Sequence, residues 1–213
     1  PPRRVVQSIE RVADADSVCI TVDHPDHLYL TRHHIVTHNT YQLLAAAAVR
    51  NVRRLVVAVP ASAVSVWQRH VDSCRLAEHC GDGGGLITII AGRKEPALTG
   101  DGVLVVSMDL LARRKGLLKR VLAWGPDSCI VDEAHQISSW SSQRSRALRA
   151  LARAIGDGPR WAASGTPMSD GPGQLASQLA YTGDLERIFG GYSCFMRRYC
   201  YRTPFGGWKG RKK

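Results

Sequence analysis

The pattern of apolar positions changes character near residue 40. Before it, short apolar runs stand at Val5-Val6, Val18 to Val22, Leu28 to Leu30 and Ile35-Val36, interrupted by Asp, Pro and His. Brief apolar runs cut by turn formers predict short strands. After it, longer apolar stretches alternate with amphipathic ones. Thr40 to Arg50 is Ala-rich and predicts a helix, and Arg54 to Val59 reads RLVVAV, a buried-type strand. Ser62 to Glu78 carries helical periodicity, and Gly81 to Gly85 predicts a loop. Further strands are predicted at Leu86 to Ala91, Gly102 to Ser107, Ser128 to Asp132 and Arg160 to Ser164, with helices at Met108 to Ala123 and Ser141 to Ile155. The Gly- and Lys-rich tail from Thr203 is expected to be loose. Strands alternating with helices of this length imply βαβ units, an α/β fold and a largely parallel sheet. Ligands of such sheets bind beyond the carboxyl ends of the strands. The expected division is a small all-β segment over residues 1–39 and an α/β domain over residues 40–213.

Composition adds a partner class. The 213 residues carry a formal net charge of +11, with the excess in Arg. A basic balance of this size favours a polyanion, most often nucleic acid. One cluster is Arg113, Arg114, Lys115, Lys119 and Arg120, and another is Arg197, Arg198, Lys209, Arg211, Lys212 and Lys213. No apolar run approaches the roughly 18–20 residues needed to span a bilayer, so no membrane partner is expected. The start, Pro-Pro-Arg-Arg, has no Met and no apolar signal core, as in a fragment or processed piece. Six Cys at irregular spacing do not form a disulfide framework. His70, Cys74, His79 and Cys80 lack the paired spacing of a zinc site.

The sharpest chemical signal is Cys129-Ile-Val-Asp-Glu-Ala-His135. An apolar strand ends in two adjacent carboxylates. Asp132 can hold Mg²⁺ there, and Glu133 can polarise the water that attacks a γ-phosphate. Downstream, Arg160-Trp-Ala-Ala-Ser-Gly-Thr-Pro-Met168 is a strand running into a small hydroxyl-bearing turn. Ser164 and Thr166 can bond to the Asp-Glu-Ala-His loop and relay the state of a nucleotide.

Together these residues resemble the superfamily 2 helicases, VDEAH their motif II and SGTPM their motif III. Three more stretches are similar to the Swi/Snf-type branch. LVVAVPASAVSVWQRH (Leu55 to His70) resembles motif Ia, VLVVSMDLL (Val103 to Leu111) the next strand and turn, and FMRRYC (Phe195 to Cys200) the segment after motif III in the annealing-helicase subgroup. The resemblance covers residues 40 to 205 and implies a RecA-like first lobe, ATP and Mg²⁺ as cofactors, DNA as partner, and a second lobe elsewhere. The phosphate-binding loop of that family, G-x-x-x-x-G-K-[ST], is missing from the chain. Thr40, heading a helix 15 residues before Leu55, stands where the loop's final Mg²⁺-binding Thr belongs, but His38-Asn39 replaces the Gly-Lys.

His38-Asn39-Thr40 suits a different reaction. An Asn amide can attack its own backbone carbonyl, close a succinimide and cut the chain, with an adjacent His protonating the leaving nitrogen. A hydroxyl on the next residue can accept an acyl group. CITVDHPDHLYLT (Cys19 to Thr31) and IVTHN before Thr40 resemble the two C-terminal blocks of inteins, which implies a HINT-type all-β segment. By that resemblance Asn39 cyclises, His38 and His27 assist, and Thr40 is the first residue of the host. Cys19 is either the branching nucleophile of a class 3 intein, whose Thr37-His38 pairing it shares, or a buried strand cysteine. Excision up to Asn39 and joining of an upstream Gly-Lys to Thr40 would restore the phosphate loop.

Three readings follow. The chain is part of an intein-interrupted DNA motor that needs an upstream intein half and an upstream motor segment. Alternatively it is the C-terminal half of a split intein, whose main act is trans-splicing. In the third, the lobe is a remnant that only holds DNA, which intact Asp132, Glu133 and Ser164-Gly-Thr argue against. A bacterial or phage-infected cytoplasm is the expected location, and the chain alone is expected to show negligible ATPase.

Overall fold

The computed structural model describes residues 29–31, 35–37, 39–81, 85–89, 96–168, 171–204 and 208–210. Two short strands, β1 (Tyr29–Thr31) and β2 (Ile35–Thr37), pair antiparallel, with Leu30 opposite Val36. They match the last two apolar runs read before residue 40. The remaining early runs lie outside the described residues, as do Cys19, His27 and His38.

The centre of the molecule is a five-stranded sheet built from β3 (Arg54–Val59), β4 (Gly85–Ile89), β5 (Gly102–Ser107), β6 (Ser128–Val131) and β7 (Arg160–Ala162). The order is β4-β5-β3-β6-β7, and every pairing is parallel. Continuous Val, Leu and Ile suit strands buried on both faces. Leu55 through Val59, Val103 through Val106 and Cys129 through Val131 are all 0% exposed.

Alternate residues serve opposite faces, as the pleat demands. Leu55, Val57, Val59, Val103, Val105 and Ile130 pack with Leu44 and Ala47 of α1 (Asn39–Val49) and with Val64, Trp67 and Val71 of α2 (Val64–Ser73). Val56, Ala58, Leu104, Val106, Cys129 and Val131 pack on α3 (Met108–Arg113), α4 (Lys115–Trp124) and α5 (Gln143–Ile155). Ser107 Oγ accepts from the Leu110 amide at 3.2 Å and Ser142 Oγ from the Ser145 amide at 3.1 Å, capping α3 and α5. Gly125, left-handed at φ 70°, closes α4.

The sequence expectations need three corrections. The helix expected over Met108 to Ala123 is two helices, broken at Arg114 with ψ 88°. At about 100° per residue, one unbroken helix would aim Met108 and Leu111 roughly opposite to Leu117, Val121 and Trp124. The break lets all five be buried on the sheet. The helix expected over Ser62 to Glu78 stops at Ser73, and left-handed Arg75 (φ 52°) leads into a 3₁₀ turn over Leu76–His79. The tail expected to be loose contains β9 (Trp208–Gly210), which pairs antiparallel with β8 (Cys200–Arg202).

Three helices that periodicity did not reveal precede that hairpin: α6 (Leu175–Thr182), α7 (Asp184–Phe189) and α8 (Tyr192–Tyr199). They bury Ala176, Leu185, Phe195, Met196 and Cys200 in a separate apolar cluster. Tyr181 ties α6 to the sheet by donating its hydroxyl to the Cys129 carbonyl at 2.8 Å. Burial pushes the Cys129 thiol up to about 12 and the Tyr181 hydroxyl well above its ordinary range, so both stay neutral beneath the site. Among the described residues no helix is long and apolar enough to cross a membrane.

Candidate active site at the carboxyl ends of β6 and β7

Strand β6 delivers Asp132 and Glu133 at its carboxyl end, between β3 and β7. The Asp132 amide donates to the Ala58 carbonyl of β3 at 3.1 Å, so the backbone is still held by the sheet at this residue. Its side chain is buried, and the indole of Trp67 on α2 donates to Oδ2 at 2.8 Å. Oδ1 accepts the Glu133 amide at 2.9 Å. One carboxylate is thus fixed by a buried donor on one oxygen and a backbone donor on the other. Charge-assisted bonds of this kind are among the stronger ones available to a protein.

Glu133 is arranged differently. It is left-handed at φ 50°, ψ 51°, a region that non-glycine residues enter at a cost of order 1–3 kcal/mol. The turn aims its side chain outward, 44% exposed, and Oε2 lies 3.0 Å from His135 Nδ1. The same nitrogen is 3.1 Å from Ser164 Oγ, and Ser164 Oγ accepts the Thr166 amide at 3.2 Å. The backbone repeats this link, since the Ala134 amide donates to the Ala163 carbonyl at 2.8 Å and the Ala163 amide to the Val131 carbonyl at 2.9 Å. Gln178 of α6 donates to the Pro167 carbonyl at 2.7 Å and holds the far end of the turn.

Four of the residues singled out in the sequence, Asp132, Glu133, Ser164 and Thr166, therefore form one connected site. Ser164 bonds to the Asp-Glu-Ala-His loop as expected, and Thr166 joins through its backbone. Thr40 is 3% exposed at the head of α1. Its neighbour Tyr41 stacks on His70 of α2, the helix that carries Trp67, with ring centroids 4.9 Å apart. Asn39 is the first residue of α1. Two contributors were not read as site residues. His135 bridges Glu133 to Ser164, and Trp67 holds Asp132. The available signal for Trp67 was a tryptophan on the apolar face of an amphipathic helix, because a buried indole N–H needs an acceptor.

The His and Cys residues set aside as a zinc site fall on α2 and the turn after it. Cys74 is exposed, whereas Cys80 is buried with its thiol pushed up to about 11 by burial. Among the described residues no group of three or more His, Cys, Asp or Glu gathers to hold a metal ion.

A buried parallel sheet presenting a buried and a half-exposed carboxylate at one strand end, bonded to the next strand's hydroxyl turn, defines the class of α/β lobes with their chemistry at the strand ends. The chain belongs to the SNF2-related domain family, whose model matches residues 18–203. It is also similar in fold to a solved structure described as the Sulfolobus solfataricus SWI2/SNF2 ATPase core in complex with dsDNA, with a TM-score of 0.55 and 17% identity. That likeness covers 75% of this chain, which spans 31% of the other. No curated protein matches the chain.

Proposed function

We propose that the chain is the first lobe of an ATP-driven DNA translocase whose phosphate loop is interrupted, just before Thr40, by a self-excising intein. The observation that carries the motor reading is the pair at the end of β6. Asp132 is buried and clamped, Glu133 is half-buried, and His135 wires Glu133 to Ser164 on the next strand's turn.

The residues fit Mg²⁺ and ATP. Mg²⁺ is usually bound through one or two carboxylates, with phosphate and water completing the shell. Asp132 offers such a carboxylate and Thr40 a buried hydroxyl. Bound ATP and Mg²⁺ would supply the phosphoryl group and neutralise its charge. Asp132 would hold the metal through lone pairs left over from the Trp67 and Glu133 bonds. Glu133, held among the described residues only by the half-exposed His135, would orient water and take its proton. Ser164, with Thr166 in the same turn, registers the position of His135 and passes it into the loop. DNA as the partner is supported by the net charge of +11 and by the duplex bound to the similar ATPase core. A second lobe would complete the motor.

The splicing reading is supported by the His38-Asn39-Thr40 triplet. A cut after Asn39 would release the preceding segment without dismantling the sheet. The Asn39 side-chain nitrogen attacks its own carbonyl carbon, the bond to Thr40 breaks, and the leaving amine takes a proton with help from His38 and His27. The upstream segment, carried as an ester on the Thr40 hydroxyl, then moves to the freed amine and becomes an amide. Cys19 is the branching nucleophile if the class 3 reading holds.

The test is co-expression of the chain with its upstream coding segment and with the second lobe, wild type and Asn39→Ala, followed by intact mass and ATP turnover with and without duplex DNA. A joined product beginning this half at Thr40, lost in the variant and hydrolysing ATP when DNA is added, is expected. Uncut chain in both samples would sink the splicing reading. A joined product without DNA-stimulated turnover would sink the motor reading.

A further inference from the structure

We infer that the β8–β9 hairpin is a stacking platform for an unpaired DNA strand. Three observations carry this. The first is the register, with Cys200 opposite Gly210, Tyr201 opposite Lys209 and Arg202 opposite Trp208. Residues directly opposite share a face and successive residues alternate, so Tyr201 and Lys209 stand on one face and Arg202 and Trp208 on the other, each face carrying one ring beside one cation. Cys200 turns inward at 1% exposure, while Tyr201 and Trp208 are 45% and 36% exposed, and Arg202 and Lys209 are exposed beside them. The Arg202 guanidinium lies 5.6 Å from the Trp208 ring centroid.

The second observation is charge. Residues 191–213 contain seven Lys and Arg and no Asp or Glu. The other basic cluster, Arg113 to Arg120, contains no aromatic residue. Cations alone follow a phosphate backbone, but cations interleaved with exposed rings also offer base faces a surface. A duplex hides those faces, so the surface fits an unpaired strand.

The third is anchorage. Cys200 is buried with Phe195 and Met196 of α8. Gly210 lies so close to Pro172 that a Cβ added to it would sit 2.7 Å from Pro172 Cδ. The Pro172–Gln174 turn leads directly into α6, whose Gln178 holds the Pro167 end of the Ser164 turn. The hairpin is therefore fixed to the site rather than a free tail. Naming DNA as the polymer rests on the motor reading above, whereas the stacking surface rests on the hairpin itself.

The experiment titrates the full chain at low salt with labelled oligothymidylate, a duplex of the same length and oligouridylate, following anisotropy and tryptophan emission. Oligothymidylate should bind most tightly and quench the exposed Trp208. Tyr201→Ala with Trp208→Ala should weaken that binding about tenfold or more. Tyr201→Phe with Trp208→Phe should retain most of the affinity and lose the quench, which also covers the case in which the alanine pair fails to fold. Arg202→Glu with Lys209→Glu should flatten the salt dependence, by about 0.7 in log–log slope per lost phosphate contact. Lys119→Glu with Arg120→Glu should leave the quench intact. Hairpin variants that bind like wild type, or wild type that prefers duplex or oligouridylate, overturn the inference and leave the motor reading standing. Wild type that binds no DNA overturns both.

Discussion

The two flanks of β6 are built differently, and the site straddles them. Toward β3 the strand is paired over Leu55 to Ala58, both partners are 0% exposed, and α2 covers the face. Toward β7 the partner has three residues, of which Ala162 is exposed, and it runs at once into the Ser164 turn. Asp132 belongs to the first flank through Ala58 and Trp67. Glu133 belongs to the second through His135 and Ser164. Neighbours in sequence thus sit on opposite sides of a boundary in rigidity. In the proposed role Asp132 would hold a metal, and such a ligand gains from being fixed, since the cost of placing it is met in folding. A group that must reorient with each cycle gains from a soft mounting.

The strongest way to break this contrast is to damage the rigid flank. Ile130 is 0% exposed and pairs across from Val57. Ile130→Ala should cost about 2–5 kcal/mol in urea unfolding, through lost burial and the cavity left behind. A loss under about 1 kcal/mol would mean that the flank relaxes around the hole and is not the stiff half.

A smaller effect tests the clamp itself. Trp67→Phe keeps a ring in the core but removes the donor to Asp132 Oδ2. A carboxylate 8% exposed and left without its donor should cost about 1–3 kcal/mol. The ring change adds its own packing cost, so the bond is isolated by a double-mutant cycle with Asp132→Asn. A coupling free energy near zero would show that the indole merely packs nearby. In the completed motor, Trp67→Phe should also raise the Mg²⁺ concentration needed for half-maximal turnover, a change that packing loss alone would not produce.

The rigid flank was far easier to read in the sequence than the soft one. RLVVAV and Cys129-Ile-Val before two carboxylates announce buried strands by local composition, and the structure places them side by side at the sheet's centre. Ser164 bonding back to the Asp-Glu-Ala-His loop was also legible, because a hydroxyl in a tight turn after a strand has few other uses. What escaped reading depends on distant partners. The break at Arg114 is imposed by where the sheet lies, and it shows only as a phase jump between Leu111 and Leu117. Trp208 becomes a strand because Cys200–Arg202 offers it an edge, in a stretch whose Gly and Lys suggest a loose tail. Helices α6 to α8 pack on one another around Phe195 and Met196, so their short segments never build a long periodic signal. Trp67 meets Asp132 across 65 residues, and only the fold brings them together.

The finest test falls on the soft flank. His135 is 40% exposed, so the Ser164 hydroxyl that it meets lies near water and can be replaced by water when removed. Ser164→Ala should therefore shift unfolding free energy by no more than about 0.5 kcal/mol. Its consequence should be local. The Thr166 amide loses its acceptor, and His135 retains only Glu133. Hydrogen exchange at Thr166 should accelerate, and at Ala134 more modestly, because the Ala134 amide still donates to Ala163. Exchange at Val57 and Ile130 should not change. In the joined motor proposed above, DNA should stimulate turnover less in this variant while ATP binding persists, because the Ser164–His135 contact is lost and the Trp67 bond to Asp132 is untouched. Unchanged exchange at Thr166 would mean that the turn is held by its backbone alone. A stability loss as large as that of Ile130→Ala would place Ser164 on the rigid flank and erase the boundary drawn through β6.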